Sequence, residues 1–259
     1  MFDIFSKKLN PQLSPCKKEE VCVGMVNDKD IYDFISVSAH QLKTPFSSVK
    51  WSLEFLMNNE VKTEDEKQIL YKKMYESTKH ALRLVDEMLN AYKLESSSAV
   101  FDFEAGDDLI DLLVREVDEI RKLAEVKNIK LVLPTIGHVI PDIYIDHAKM
   151  QDVFQIILEN ALRYTPNGGS VHIIYDTQPE GVLLSFADSG IGISKENQIN
   201  IFHKFYRAPE AVKSEHQGSG LGLFIAKEIV ERHRGKIWFE SQVGSGTTFF
   251  IFLPFGKQK

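Results

Sequence analysis

Three glycine clusters in the second half of this 259-residue chain have the composition of phosphate-binding loops. They are Asp188-Ser-Gly-Ile-Gly192, Gly218-Ser-Gly-Leu-Gly222 and Gly244-Ser-Gly-Thr247. The second cluster runs directly into an apolar helical pattern, which would leave free backbone N–H groups and a positive dipole end facing outward. Glycines also let the backbone approach an anion closely. No Lys-Ser or Lys-Thr pair follows a glycine loop, which excludes a P-loop.

Two polar residues near these loops could recognise a nucleotide. Asp188 ends an apolar strand pattern, where its carboxylate could accept a hydrogen bond from an exocyclic amino group and so select adenine. The alternative is a carboxylate that caps the next turn. Asn160 lies on an amphipathic helix pattern, where its oxygen could reach a cation or bond its own helix backbone.

His40 is the candidate nucleophile of the first half. On a helix it lies about 200° away from Ser38 and from Leu42, so we predict that it faces solvent. A neutral imidazole nitrogen is a competent nucleophile near neutral pH. Considered by itself, however, a histidine on a helix surface is an ordinary surface residue.

Two helical patterns would position His40, and a short interruption after residue 57 joins them into a hairpin. Each pattern has apolar and small residues spaced alternately three and four apart, as a packing seam requires. The two seams are Ile35, Ser38, Leu42, Pro45, Val49, Ser52 and Leu56, and Leu70, Met74, Ser77, Ala81, Leu84, Met88 and Ala91. Since one hairpin cannot bury both seams, we predict a homodimeric four-helix bundle. The alternative is that the hairpin packs on the C-terminal domain of its own chain.

Beyond a serine-rich break at residues 96 to 98, the pattern changes to mixed helices and strands. We predict helices over 107–126, 147–163 and 221–233, and strands over 129–133, 140–145, 171–175, 182–187, 236–241 and 247–253. Strict βαβ alternation is absent, which favours an α/β sandwich with one mixed sheet. The predicted organisation is a tail (1–27), a helical hairpin (28–97), a hinge (98–106) and a C-terminal domain (107–257), in the α+β class.

The composition, 43% hydrophobic and 26% charged, is that of a soluble globular protein. A net charge of -6 argues against a broad surface for nucleic acid. No apolar run approaches the ~20 residues of a membrane span, and no signal peptide is evident, so we expect a cytoplasmic chain. Cys16 and Cys22, both in the tail, are expected to be free thiols rather than a redox or metal pair.

Five blocks in the second half resemble, in the same order, the catalytic domain of the histidine kinase branch of the GHKL ATPases, which has the Bergerat fold. Residues 159–166 resemble its N-box, 188–192 its G1 box, 202–207 its F-box, 218–222 its G2 box and 244–247 its last glycine box. The resemblance implies an ATP-binding domain whose lid spans about residues 208–217.

This resemblance assigns roles to individual residues. Asp188 should recognise adenine, Asn160 should ligate Mg²⁺, and Tyr164 should lie beside the base. The residues expected to face phosphates or to shape the pocket and its lid are Arg163, Arg207 or Lys204, Gly190, Gly192, Gly218, Gly220, Leu221, Gly222 and Thr247. Many relatives carry a second Asn four residues before Asn160, where this chain has Ile156. A single Asn together with ATP oxygens still makes a workable Mg²⁺ site.

Residues 34–45 resemble the H-box of dimerising histidine kinases, which implies that His40 is the phosphoacceptor. Pro45 cannot donate to the carbonyl of Gln41, so we expect a helix kink one turn beyond His40. Thr44 follows on the same face. There the family positions a water that dephosphorylates the partner, although a helix Thr can also bond its own backbone.

Gln41 departs from the family pattern, since most relatives have Glu or Asp directly after the histidine. Its amide oxygen could accept a hydrogen bond and orient His40, but it cannot take a proton. We therefore expect slow autophosphorylation in which water removes the proton, and a faster reaction with Glu at this position. Trp51 and Phe55, near the His40 face, either pack on the second helix or form a docking surface for a receiver domain.

Taken together, the resemblance implies a histidine kinase core that uses Mg-ATP to phosphorylate His40 and then an aspartate of a response regulator. One alternative is a chain that mainly dephosphorylates the response regulator. Another is a nucleotide-sensing dimer without enzymatic activity, against which the retention of His40, Asn160 and Asp188 speaks. The sequence leaves two alternatives for the sensor, a domain upstream in the native protein or a separate polypeptide.

Overall fold

A computed structural model describes residues 28–58, 62–96, 98–106, 108–133, 143–214 and 218–256. The chain divides into two compact units, Met1–Ser36 and Val37–Lys259. The first unit contributes only the first turns of helix α1 to the described residues. The predicted tail, with both cysteines, and the last three residues of the predicted lid lie outside them.

The predicted helices of the N-terminal half are present as α1 (Asp28–Met57) and α2 (Glu64–Glu95). Thr63 begins α2 with a capping box, in which its hydroxyl accepts from the Glu66 amide and the Glu66 carboxylate accepts from the Thr63 amide. Ser77 and Ser48 share a hydrogen bond between their hydroxyls at 3.1 Å. Because the two helices run antiparallel, this contact sets their register.

Helix α2 carries two apolar stripes, of which the sequence pattern identified one. The predicted seam is buried within the chain from Ala81 to Ala91, and the buried Leu94 continues it by one further residue. The second stripe starts one residue later, keeps the spacing of three and four, and stays between 38% and 68% exposed. Its apolar members are Tyr71, Tyr75, Leu82, Val85, Leu89 and Tyr92. Helix α1 also exposes Phe46, Leu53 and Met57, so the single chain leaves a large apolar surface uncovered.

The C-terminal part is the predicted sandwich of helices on a mixed sheet. Its larger helices are α3 (Leu109–Val126), α4 (His147–Tyr164) and α7 (Gly222–Arg232), and its short ones are α5 (Lys195–Gln198) and α6 (Pro209–Ser214). The strands of the sheet, in spatial order, are β2 (Lys130–Val132), β4 (Ser170–Gln178), β5 (Gly181–Asp188), β7 (Gly246–Pro254) and β6 (Lys236–Gln242). Strands β2 and β4 are parallel and all other neighbours are antiparallel. The predicted α+β class is confirmed.

Alternation along the strands places one face of the sheet against the helices. Val171, Ile173 and Tyr175 are buried on β4, and Val182, Leu184 and Phe186 are buried on β5. Phe154 of α4 meets Phe186 with ring centroids 6.2 Å apart. This packing holds α4 over the sheet and directs its other face toward the glycine loops.

The predicted hinge at 98–106 is attached to the C-terminal part along much of its length. Strand β1 (Glu104–Gly106) pairs antiparallel with β3 (Ile143–Ile145), and residues 140–142 of the strand predicted there lie outside the described residues. The Phe103 ring lies 5.0 Å from the buried His233 ring, and the Asp102 amide donates to Asp146 at 3.0 Å. None of the described helices is long and apolar enough to cross a membrane.

Candidate functional site

One pocket brings together most of the residues that the motifs singled out. It lies between α4, the three glycine loops, the start of α7 and one face of α2. The predicted residues that line it are Asn160, Arg163, Tyr164, Asp188, Gly192, Arg207, Gly218, Gly220, Gly222 and Thr247. Six other predicted residues do not line the pocket: Gly190, Leu221, Lys204, His40, Gln41 and Thr44.

Asp188 is a part-buried carboxylate at the end of β5. Its Oδ1 accepts from the Gly190 amide at 2.8 Å and from the Thr247 amide at 3.1 Å. Burial raises its pKa to about 6, against the smaller opposing effect of these two hydrogen bonds. The bonds hold one oxygen in place, so the other can be directed at a donor in the pocket. The carboxylate thus joins two glycine loops. It caps a turn, as the alternative interpretation expected, and it also lines the pocket.

The pocket face of α4 presents Ile156, Asn160, Arg163 and Tyr164 at spacings of three and four. Ile156 occupies the place of the second Asn that many relatives carry, so this turn offers an apolar wall. Arg163 also lies 3.7 Å from the Glu159 carboxylate on its own helix. Asn160 and Arg163 therefore point one neutral oxygen and one cation into the same cavity.

Two guanidinium groups lie beside the second glycine loop. A Cβ built on Gly218 would lie 3.3 Å from Arg163 Nη1 and 3.5 Å from Arg207 Nε. Lys204, the predicted alternative to Arg207, instead pairs with Glu95 at the end of α2 and stacks 5.3 Å from the centre of the Phe224 ring. The structure thus favours Arg163 and Arg207 as the pair that could face an anion, and it places Lys204 outside the pocket.

The loop at Gly192 requires glycine for two separate reasons. Its φ is +69°, and a Cβ there would lie 2.1 Å from the carbonyl oxygen of Gln242. Gly244 has a similar φ of +74°, but a Cβ there would meet nothing within 4 Å. Gly244→Ala therefore carries backbone strain alone and is a matched control.

We expect Gly192→Ala to lower the free energy of unfolding by about 3 kcal/mol or more, since strain and steric overlap add. Gly244→Ala should cost about 1 kcal/mol. Urea denaturation of the two variants measures the difference. Equal losses would show that the close approach to Gln242 does not matter.

The H-box residues lie on the hairpin, next to the site rather than in it. His40 and Thr44 are exposed, as predicted. Gln41 donates from Nε2 to the Ser219 carbonyl oxygen at 2.9 Å. Its own oxygen, which we expected to orient His40, is buried and has no hydrogen-bond partner among the described residues. Gln41 therefore binds the second glycine loop, and a Glu there would also lose this donor.

Helix α2 supplies pocket residues that sequence reasoning missed. His80, Arg83, Leu84 and Glu87 line the cavity opposite α4. Glu87 bonds the Ser219 side chain, and burial raises the pKa of its carboxyl group. Burial and two nearby arginines lower the pKa of His80. Of these four residues only Leu84 belongs to the predicted seam, and helical spacing alone does not show that the residues beside a seam line a pocket.

The donors in the pocket suit a magnesium ion that arrives with a nucleotide. Among the described residues, no three His, Cys, Asp or Glu side chains form a metal-binding group. Mg²⁺ commonly binds through one or two protein ligands, waters and substrate phosphates. The Asn160 oxygen fits that mode, whereas a protein cage for a free cation does not fit the described residues.

Comparisons with known proteins match both halves of the chain. Residues 145–257 match the family described as histidine kinase-, DNA gyrase B- and HSP90-like ATPase, and residues 31–97 match the His kinase A (phospho-acceptor) domain. The first match covers Asn160, Asp188 and the glycine loops, and the second covers His40. ATP binding by the C-terminal domain follows from the first match.

Two relatives from Bacillus subtilis (strain 168) align over nearly the whole chain. Sensor histidine kinase WalK is 32% identical over 238 residues, which are 90% of this chain and 38% of WalK. Sensor histidine kinase YclK is 31% identical over 257 residues, or 98% of this chain and 51% of YclK. The chain thus spans about half or less of these relatives. The structure of histidine kinase ThkA in complex with response regulator TrrA superposes with a TM-score of 0.67 at 22% identity. The match covers 87% of this chain and 62% of the ThkA chain, and it shows a shared fold.

Proposed function

This chain belongs to the sensor histidine kinases of two-component systems, and we propose that it transfers the γ-phosphoryl group of Mg-ATP to His40 and then to an aspartate of a response regulator. One observation carries the proposal: Asp188, Asn160, Arg163 and Arg207 converge on a single glycine-walled pocket. Because the chain spans only part of its relatives, its activity and partners remain proposals.

Positioning and charge neutralisation would supply most of the catalysis. Asp188 would accept a hydrogen bond from the adenine amino group, while Arg163 and Arg207 would stabilise the charge on the phosphates. Mg²⁺, held through Asn160, would neutralise charge on the phosphate oxygens. The imidazole nitrogen of His40 would attack the γ-phosphorus, the bond from phosphorus to the ADP oxygen would break, and the imidazole proton would pass to water.

The exposed stripe on α2 supports the predicted homodimer. A second copy of the hairpin would cover the Tyr71 to Tyr92 stripe and the apolar residues that α1 exposes. The hairpin also contacts the C-terminal domain of its own chain through α2 and α7. Both alternatives raised by the sequence pattern are therefore compatible, because they use different faces of α2.

Residues on the His40 side of α1 support a receiver domain as the partner. Trp51 is 63% exposed and Phe55 is 41% exposed, and their spacing from His40 places them on its face of the helix. In the single chain both side chains border a groove with Leu70 and Lys73 of α2, and they stay partly exposed there. The structure of ThkA in complex with the response regulator TrrA supports the same kind of partner.

The proposal is tested by incubating the chain with γ-labelled ATP and Mg²⁺. A phosphoramidate on histidine gives label that is acid-labile and alkali-stable, and the label should move to an added receiver domain. Nucleotide binding without any protein-bound label would instead support a nucleotide-sensing dimer. Failure to bind adenine nucleotides in the presence of Mg²⁺ would exclude all these interpretations.

Dephosphorylation of the response regulator is a second candidate activity, which the neutral Gln41 and the exposed Thr44 favour. We expect Thr44→Val to slow dephosphorylation of a phosphorylated receiver about tenfold, because the isosteric side chain cannot position water. The autophosphorylation rate should change less than twofold. Both rates are measured by loss and gain of label, and equal losses would indicate a structural role for Thr44.

A further inference from the structure

We propose that His40 is phosphorylated by the nucleotide bound to its own chain, so that autophosphorylation occurs within one subunit of the dimer. This inference rests on the proposed kinase function and adds to it the identity of the acceptor. Three features of the unit Val37–Lys259 carry it.

The first feature is a hydrogen bond between the phosphoacceptor helix and the nucleotide loop. Gln41, the residue directly after His40, donates from Nε2 to the Ser219 carbonyl oxygen at 2.9 Å. Ser219 is 4% exposed and lies in the middle of the second glycine loop. A part-buried bond between residues this far apart in sequence couples the position of His40 to the loop of the same chain.

The second feature is the register of the hairpin. Ser48 bonds Ser77 across the two antiparallel helices. Because both helices rise about 1.5 Å per residue, His40, eight residues before Ser48, lies level with Val85, eight residues after Ser77. Leu84 and Glu87 flank that level and line the nucleotide pocket. His40 therefore lies at the height of the pocket in its own chain.

The third feature is the attachment of the pocket domain to its own α2. Lys204 pairs with Glu95, and the Arg232 side chain donates to the Leu94 carbonyl oxygen. Residues 96–101 then lead to Asp102, which bonds Asp146 of the same domain. Six residues can span roughly 20 Å at most. The domain is thus tethered beside the hairpin that carries its own His40.

His40 does not line the pocket in this arrangement, so transfer needs a movement of the loop or of α1. This movement is shorter than the one needed to reach the other subunit, because the Gln41 contact already holds α1 against the second glycine loop of the same chain. Gln41 acts here as a positioning residue, which accounts for a side chain that cannot serve as a base.

The test uses heterodimers purified through two different affinity tags. In the first, one subunit carries His40→Gln and the other carries Asp188→Asn, so that only one subunit binds ATP and only the other offers an acceptor. In the second, one subunit is unchanged and the other carries both substitutions. Transfer within a subunit predicts background label in the first heterodimer and about half the wild-type label in the second.

Transfer across the dimer predicts the reverse, with label on the Asp188→Asn subunit of the first heterodimer and background in the second, and this result would overturn the proposal. Background label in the wild-type homodimer as well would overturn the kinase function and this inference with it. The two failures are distinct, because only the second leaves the unchanged protein unlabelled.

Discussion

His40→Gln should reduce protein-bound, acid-labile label by about 10³-fold or more, to background. The substitution replaces a nucleophilic imidazole nitrogen with an amide nitrogen whose lone pair is delocalised and cannot attack phosphorus. His40 is exposed, so the helix loses no core contact. Gel-based counting of the label after incubation with γ-labelled ATP and Mg²⁺ measures the effect.

Two controls separate loss of the acceptor from loss of the fold. The thermal unfolding midpoint and the affinity for a non-hydrolysable ATP analogue should both match the unchanged protein. His172→Gln is a comparison, since His172 is exposed on β4 and does not line the pocket; it should retain label on His40. Label that persists in His40→Gln would mean that another residue accepts the phosphoryl group.

Asp188→Asn should weaken binding of adenine nucleotides about 100-fold or more. The Asn oxygen can still accept from the Gly190 and Thr247 amides, so the loops keep their geometry. The second oxygen becomes an NH₂ donor, which would face the amino group of adenine. A lost charge-assisted bond and an unsatisfied donor together cost roughly 3 to 5 kcal/mol. Titration calorimetry with an ATP analogue measures the loss.

The same substitution should stabilise the nucleotide-free protein. Burial raises the pKa of Asp188 from 3.8 to about 6, so the folded state holds its proton to higher pH than the unfolded state does. Below pH 3.8 the group is protonated in both states and does not affect the free energy of unfolding. As the pH rises toward 6 its ionisation lowers that free energy, and above pH 6 the loss is about 3 kcal/mol. Asn removes this cost, so urea denaturation should show a gain at pH 8 that disappears near pH 4.

Nucleotide affinity of the unchanged protein should follow the same carboxyl group. The ionised form is the stronger acceptor for the adenine amino group, because protonation places a hydrogen on the oxygen that faces it, so affinity should fall by up to about tenfold for each pH unit below 6 and stay flat above 7. Asp188→Asn should remove the part of this dependence that comes from residue 188. Weak binding with no gain in stability would indicate that the substitution damages the loops instead of the recognition of adenine.

Local sequence predicted most of the elements and most of the motif residues that the fold brings together in one pocket. The spacing of three and four defined both hairpin helices, and alternation defined β4 and β5. The glycine clusters predicted a phosphate site because positive φ angles and close backbone approach are local requirements that few other residues meet. Asp188 and Asn160 could be placed beside it, because Asp188 ends a strand with clear alternation and Asn160 lies on a helix with clear amphipathic spacing.

Other features could not be predicted, because helical spacing shows which residues share a face of a helix but not which part of the protein that face contacts. On α2, two apolar stripes lie one residue apart, and the pattern could not tell which is buried within the chain and which is left for a second copy. Glu87 was hidden for the same reason, since its face turned out to be a wall of the pocket. Lys204 could not be separated from Arg207 until Glu95 was seen to pair with it.

The contact between Gln41 and Ser219 illustrates the physical limit. The two residues are 178 positions apart, and their meeting depends on the hairpin register, the tether after α2 and the packing of α7. Residue types and spacings therefore predict an ATP pocket and a histidine acceptor, because both arise from short-range geometry. Which pocket serves which histidine depends on long-range contacts, so our inference about it rests on the contact of α1 with the second glycine loop in the folded chain.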